Sequence, residues 1–140
     1  NDMLLSLDIT GWSPNAPRVM EMRFCDMLAD FFIKPHSYKL SQVFTGVNMV
    51  TQRRGYFNKW EATDGSVQGF FGGGDSIMHA LMIRWAFARA KEDGIIIAQA
   101  KIMSLAMIDD MIARVQGIKA TPREISDLIS NYYKILGYEV

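Results

Sequence analysis

The chain opens with an apolar run from Met3 to Ile9 that contains one serine and carries Asp8 near its end. Runs of this kind are typical of a strand buried on both faces. Asn15, a capping residue, and Pro17 then predict the start of a helix that continues to about Ile33. Apolar residues at helical spacing predict its packed face: Val19, Met20, Phe24, Met27, Leu28 and Phe31.

The middle of the chain mixes polar and apolar residues. Its clearest signal is the turn sequence at residues 53–55, Arg-Arg-Gly, which separates two short apolar sets and predicts a β-hairpin. The glycine-rich segment Gly65 to Gly74 then leads into a helix that we expect to begin near Asp75 or Ser76 and to end at Gly94. Because this helix is apolar on nearly every side, we expect it to be buried all round.

Two adjacent acids interrupt the apolar run that follows. The strand-forming residues stop at Asp109 and Asp110 and resume at Met111, which predicts a β-hairpin with a charged turn. Thr121, followed by proline and by a glutamate three residues later, predicts a capped helix that ends at Gly137. Its buried stripe should consist of Ile125, Leu128, Ile129, Tyr132 and Leu136, and residues 138–140 have the character of a strand.

This order of elements predicts an α+β fold, in which helices cover one face of a small antiparallel sheet. The length of 140 residues and the 49% hydrophobic content allow one buried core. If the strands that carry Asp8 and Asp109 are neighbours, their carboxylates converge. We interpret the sequence, which starts at Asn1 and ends within a strand-like segment, as an excerpt of a larger chain.

Composition narrows the function only slightly. The net charge is zero, so any basic groove for nucleic acid must be local or lie elsewhere. A single cysteine, Cys25, excludes a disulfide framework and fits a reducing compartment. No segment has the length of a membrane span, so we expect no membrane partner.

The acidic residues are the candidate chemistry. Asp109 and Asp110 form a like-charged pair in a tight turn, an unfavourable arrangement unless a cation lies beside it. Because side chains alternate along a strand, at most one of the two should be a direct ligand, with Asp8 as the third carboxylate. Taken singly, each aspartate also fits a plain description, a solvated turn for the pair and a strand-end cap for Asp8.

Four stretches together resemble motifs A to D of the palm of viral RNA-dependent RNA polymerases. They are SLDITGWSP, GSVQGFFGGGDS at the start of a helix, AMIDDMI, and a helix ending in YYKILGYEV. Their order and the interval of about a hundred residues between Asp8 and Asp109 match that family. The resemblance implies that residues 1–140 are a palm excerpt with a fingers-like insertion at about 34–64. Reovirus-like double-stranded RNA viruses are favoured over segmented negative-strand viruses, because the interval is short for the second group.

The resemblance implies template-directed RNA synthesis, by phosphoryl transfer from a nucleoside triphosphate to an RNA 3′ end. Two Mg²⁺ ions, or Mn²⁺ in their place, would stabilise the attacking and leaving oxygens. Asp8 and Asp109 would bridge the metals, Asp110 would assist, and the Ile9 carbonyl would add a ligand. The implied partners are RNA template and nascent RNA, nucleoside triphosphates, the rest of the polymerase, and viral capsid or nucleoprotein components. The implied location is the virion interior and the host cytoplasm.

The resemblance also implies contacts to sugar and template. Many polymerases of this superfamily carry an aspartate five residues after the first, and Ser13 stands there instead. Candidates for sensing the ribose are therefore Ser13, Asn15 and Ser76, with ordinary helix capping as the alternative. Gln68, Gly69, Gly72 and Gly73 are the candidate template and primer loop. We expect Gly69 and the glycines at 72–74 to adopt positive φ and to form a hinge near a base pair.

Two other classes of function remain open. One is a non-catalytic α+β module that binds nucleic acid or protein, with its aspartates solvated. The other is a different two-metal enzyme on a palm-like sheet, such as a reverse transcriptase or a nucleotide cyclase. The glycine-rich loop before a helix, lying between the two acidic sites, favours a polymerase over a cyclase. We interpret His79, which lies in that apolar helix, as a buried hydrogen-bonded residue.

Overall fold

A computed structural model describes residues 2–32, 41–45, 47–62, 65 and 71–140. The fold is α+β, as predicted, with four α-helices and two antiparallel sheets of three and two strands in these ranges. The chain forms two compact units. Asn1–Trp12 and Val67–Val140 make the first, here called the sheet unit, and Ser13–Ser66 make the second, the hairpin unit. Within the described ranges, no helix combines the length and the apolar character that crossing a membrane requires.

The sheet unit is built on three antiparallel strands. These are β1 (Asp2–Asp8), β4 (Lys101–Met107) and β5 (Asp110–Gln116), arranged in the order β1-β5-β4. Side chains alternate between faces, so the buried residues of β1 and β5 share one face: Leu5, Leu7, Met111, Ala113 and Val115. The prediction that β1 is buried on both faces is wrong, because Leu4, on the other face, is 72% exposed.

Two helices cover the buried face of this sheet. Helix α3 (Gly72–Glu92) packs along β4, and helix α4 (Pro122–Ile135) packs against β1 and α3. The predicted capping box is confirmed, since the Thr121 hydroxyl accepts from the Glu124 N–H and the Glu124 carboxylate accepts from the Thr121 N–H. The prediction that α3 stops at Gly94 is also confirmed, because this glycine follows the helix with φ of +72°.

Two further predictions for this unit need correction. Helix α3 is not buried all round, because Ile77, Leu81 and Trp85 lie on an exposed side while His79 and Ile83 lie on the buried side. Apolar composition alone does not reveal which side of a helix finds a covering neighbour. Residues 138–140 do not form a strand, although the Thr10 N–H donates to the carbonyl of Glu139 at 2.8 Å.

The short helix α1 spans Trp12–Asn15, and its residues from Ser13 onward belong to the hairpin unit. This unit also contains helix α2 (Arg18–Phe32) and a 3₁₀ turn at Ser41–Phe44. Strands β2 (Asn48–Arg53) and β3 (Tyr56–Glu61) form the predicted hairpin, which is confirmed. Its two turn residues, Arg54 and Gly55, both have positive φ, as a tight hairpin turn requires.

The predicted packed face of α2 is largely wrong. Phe24 is buried, but Val19 and Phe31 are 66% and 77% exposed. The buried residues of the helix are instead Arg18, Glu21, Phe24, Cys25 and Ala29. Two charged residues, Arg18 and Glu21, thus occupy buried positions that a hydrophobic pattern assigns to solvent, and the guanidinium of Arg18 has hydrogen-bond partners inside the unit.

Arg18 connects three separate parts of the hairpin unit. Its Nη1 donates to the carbonyls of Phe44 and Ala62 at 3.1 and 3.0 Å, and its Nη2 donates to the carbonyl of Gly65 at 2.8 Å. The rigid guanidinium fork can serve several acceptors at once, which a lysine ammonium on a flexible stem does less well. Buried carbonyls that lack a donor are costly, so Arg18 holds the unit together.

We expect Arg18→Ala to destabilise the hairpin unit by about 3 kcal/mol or more, because it removes charged hydrogen bonds to three carbonyls. Arg18→Lys should recover only part of this loss. The measurement is the free energy of unfolding in urea, with amide exchange of β2 and β3 to localise the effect. Arg23→Ala, on an exposed position of the same helix, is the matched control and should change little. Equal stabilities of the two alanine variants would contradict the role of Arg18.

Candidate functional site

Asp8 and Asp110 face each other across neighbouring strands. Asp8 is the last residue of β1 and Asp110 the first residue of β5, and the antiparallel register pairs them directly. The next pair along, Ile9 and Asp109, is hydrogen-bonded from the Ile9 N–H to the Asp109 carbonyl at 3.2 Å. Asp8 and Asp110 are therefore a non-hydrogen-bonded pair, the closer type, with Cα atoms about 4.5 Å apart and side chains on one face.

The acidic turn, residues 108–109, differs by one residue from the predicted one. Met107 pairs with Asp110, so the two turn residues are Ile108 and Asp109, and Asp110 already belongs to β5. The cross-strand partner of Asp8 is consequently Asp110 rather than Asp109, which lies in the adjoining turn. Ile108 has φ of +56°, a conformation that β-branched residues rarely adopt.

The first turns of α3 hold the backbone of Ile108 on both sides. The Ile108 N–H donates to the Ser76 hydroxyl at 2.9 Å, and His79 Nδ1 lies 2.8 Å from the Ile108 carbonyl. Because a carbonyl can only accept, Nδ1 carries the proton and donates. Gly72 adds a packing contact, since a Cβ there would lie 3.5 Å from the Ile108 side chain. The conformation of the acidic turn is thus fixed by α3.

His79 is 0% exposed and is hydrogen-bonded, which confirms its predicted character. Its ring lies between aromatic neighbours, with centroids 5.6 Å from Trp12 and 5.7 Å from Tyr133. Burial lowers the pKa of His79 below its usual value of 6.5. The hydrogen bond to Ile108 and the charges of Asp109 and Asp110 act in the opposite direction, but burial is the larger effect. The imidazole is therefore neutral near pH 7.

The hydroxyl of Ser76, a predicted ribose contact, is already engaged. It donates its only proton to the carbonyl of Gly72 at 2.8 Å and accepts from the Ile108 N–H. A hydroxyl has one donor and two acceptor positions, so one acceptor position remains. Toward a sugar, Ser76 in this arrangement can accept a hydrogen bond and cannot donate one.

The last glycines of the predicted template loop lie in helix α3. Gly72 and Gly73 belong to the first turn of α3, and neither they nor Gly74 adopts positive φ, which corrects that expectation. Gly73 adjoins open space, whereas a Cβ at Gly74 would collide with the ring of Phe71. Gln68 and Gly69 lie outside the described residues.

The two remaining predicted sugar contacts belong to the hairpin unit. Ser13 is half-buried and Asn15 is exposed, and both lie in α1. Their assignment as ribose contacts stays a prediction.

The donor set at the carboxylates suits a hard cation. No group of three or more histidine, cysteine, aspartate or glutamate side chains in the described ranges is arranged to hold a metal. Mg²⁺, however, keeps several waters and needs only one or two carboxylates when substrate phosphates complete its shell. Asp8 and Asp110 provide two facing carboxylates, and Asp109 lies one residue away. The residues present therefore fit a hard cation whose remaining ligands are waters or phosphate oxygens.

The chain has no match among protein-family models, and no curated protein is significantly similar to it. Assignment of a function therefore depends on the carboxylate geometry and on the motif resemblance. Sequence reasoning found Asp8, Asp109 and Asp110 but missed Ile108 and the contacts of His79. The spacing of Ser76 and His79, three residues apart on one helix face, is the signal that could have linked them.

We expect acidification to destabilise the sheet unit through His79. Its pKa is lowered on folding, so the unfolded chain takes up a proton first, and stability falls as the pH drops below about 6.5. The measurement is the free energy of unfolding in urea between about pH 7.5 and about pH 5.5. His79→Asn should flatten this dependence, while His36→Asn, at the other histidine of the chain, should leave the His79 contribution in place. A slope that survives in the His79 variant would contradict the assignment.

Proposed function

We propose that this chain is the palm of a viral RNA-dependent RNA polymerase and that it catalyses nucleotidyl transfer to an RNA 3′ end. The observation that carries the proposal is the pairing of Asp8 with Asp110 on adjacent strands. These residues come from the two stretches that resemble motifs A and C. The stretch that resembles motif B opens α3, which contacts the same turn, and the motif D stretch forms α4 in the same unit.

The chemistry explains why facing carboxylates are needed. In phosphoryl transfer, negative charge develops on the attacking and leaving oxygens while both reactants already carry negative charge. Divalent cations, when bound, neutralise this charge and lower the barrier. Asp8 and Asp110 would hold such a cation from opposite strands, Asp109 would assist from the turn, and the Ile9 carbonyl is a further candidate donor. The ions would be Mg²⁺, or Mn²⁺ in its place.

The motif resemblance also suggests the partners of the chain. RNA template, nascent RNA and nucleoside triphosphates would be the substrates, within a longer polymerase chain and beside viral capsid or nucleoprotein components. Activity would belong to the virion interior and the host cytoplasm, in a reovirus-like virus before a segmented negative-strand one. Ser76, with its free acceptor position, is the ribose contact most directly supported by the structure, since a 2′-hydroxyl can donate to it.

The same geometry makes a prediction that is independent of catalysis. Like charges directly opposite each other on antiparallel strands repel, so without a cation Asp8→Asn or Asp110→Asn should raise the free energy of unfolding by up to about 1 kcal/mol. A saturating cation should reverse the order. At a hundred times its Kd, a bound ion stabilises the wild-type chain by about 2.7 kcal/mol. The measurement is urea unfolding with EDTA, with Mg²⁺ and with Mn²⁺.

Asp127→Asn, at an exposed carboxylate of α4, is the control for loss of one negative charge. It should keep the cation response of the wild-type chain, whereas Asp8→Asn and Asp110→Asn should lose most of it. A wild-type chain whose stability does not change with either cation would favour the non-catalytic module with solvated aspartates.

Within an intact polymerase that contains this sequence, we expect Asp8→Asn and Asp110→Asn to reduce nucleotide incorporation by about a thousandfold or more, because charge stabilisation at the reacting phosphate is lost. The measurement is single-nucleotide extension of a primed RNA template, with Asp127→Asn as the control. Incorporation of ribonucleotides, and not of deoxyribonucleotides, on that template would separate the polymerase from a reverse transcriptase. Retained activity in either variant would contradict the proposal.

A further inference from the structure

The acidic turn is bound to α3 through both backbone polar groups of one residue. Ile108 donates its N–H to Ser76, and its carbonyl accepts from His79 one helical turn further along. The two side chains are three residues apart and therefore lie on the same face of α3. We propose that Ser76 and His79 are positioning residues, which fix the acidic turn and, through it, the alignment of the carboxylates of Asp8 and Asp110.

The backbone conformation of Ile108 is the first reason. A β-branched residue at φ of +56° persists only where the surrounding structure holds it. Hairpin turns normally meet this requirement with glycine, asparagine or aspartate at such a position. Here the turn carries isoleucine, and the Ser76 hydroxyl and the His79 imidazole supply the restraint that the turn residue lacks.

A continuous set of contacts leads from α3 to the carboxylates. The Ser76 hydroxyl donates to Gly72 in the first turn of α3 and accepts from Ile108. Asp109 follows Ile108 directly, and its carbonyl accepts from the N–H of Ile9 on β1. Asp8 precedes Ile9 and Asp110 follows Asp109, so each of the two facing aspartates is next to a residue whose backbone is hydrogen-bonded. A shift of the first turn of α3 would move the acidic turn relative to β1.

The chemistry of His79 explains why an imidazole suits this position. Its Nδ1 proton is committed to the Ile108 carbonyl, so Nε2 is an acceptor that points away from it. His79 Nε2 is buried without a hydrogen-bond partner among the described residues, and so are the indole N–H of Trp12 and the hydroxyl of Tyr133 on the two rings beside it. The rings of Trp12 and of Tyr133 each adjoin the ring of His79. The hydrogen bond to the Ile108 carbonyl requires the Nδ1–H tautomer of the neutral ring.

The tautomer provides a matched pair of variants. An asparagine amide can place its N–H where Nδ1 lies, whereas the longer glutamine amide reaches toward the position of Nε2. His79→Asn should therefore keep the hydrogen bond to Ile108, and His79→Gln should lose it. Ser76→Thr keeps the hydroxyl that Ser76→Ala removes. Leu81→Ala, on the exposed side of α3, is the control for general damage to the helix.

The first measurement is amide hydrogen exchange at Ile108 in the 140-residue chain, followed by NMR. Exchange should be faster by about tenfold in Ser76→Ala and His79→Gln, and close to wild type in Ser76→Thr, His79→Asn and Leu81→Ala. Nitrogen chemical shifts of His79 in the wild-type chain should report the Nδ1–H tautomer. Unchanged Ile108 exchange in both disruptive variants, or the Nε2–H tautomer, would overturn the inference.

The second measurement is Mn²⁺ affinity, and its meaning rests on the proposed function. Ser76→Ala and His79→Gln should weaken binding by about tenfold while the conservative variants retain it. Wild-type binding that persists in the disruptive variants, with Ile108 exchange accelerated, would overturn the link from the turn to the carboxylates. A wild-type chain that does not bind Mn²⁺ at all would instead overturn the proposed function, and the exchange data would still decide the role of Ser76 and His79.

Discussion

The antiparallel pairing of β1 with β5 is the constraint on which the candidate site depends. It brings Asp8 opposite Asp110 although about a hundred residues separate them in the chain. The register is set elsewhere, by Leu5 and Leu7 of β1 and by the alternating buried residues of β5. A slip of one residue would turn these apolar side chains to solvent. The strand register that brings the two aspartates opposite each other is therefore set by a hydrophobic pattern in which they take no part.

Much of the fold follows from local signals. The capping box at Thr121, the glycine stop at Gly94 and the turn at Arg54 and Gly55 are determined by short-range chemistry, and each was predictable. Which side of each helix or strand is buried was not predictable. Leu4 and Phe31 are apolar and exposed, while Arg18 is charged and buried, because burial depends on which neighbours arrive from distant parts of the chain. Periodicity alone does not contain that information.

The candidate site shows the same division. Residue type and spacing identified Asp8, Asp109 and Asp110, but which aspartate opposes Asp8 depends on the turn. A two-residue turn at Ile108 and Asp109 places Asp110 across from Asp8, and a turn one residue later would reverse the roles of the aspartates. The acidic turn itself is hydrogen-bonded to α3, through contacts that join residues about thirty positions apart. Such contacts leave no periodic signal in the sequence.

Asp8 and Asp110 lie on the face of the three-stranded sheet that the helices do not cover. The open face carries exposed apolar side chains beside the carboxylates. Among them are Met107, the cross-strand neighbour of Asp110, and Ile112, two residues further along β5. Both aspartates are themselves exposed, so water moderates the repulsion between their charges. The facing pair of like charges lies next to a residue with positive φ that a buried histidine contacts. Departures of this kind from local stability rules are typical of functional sites.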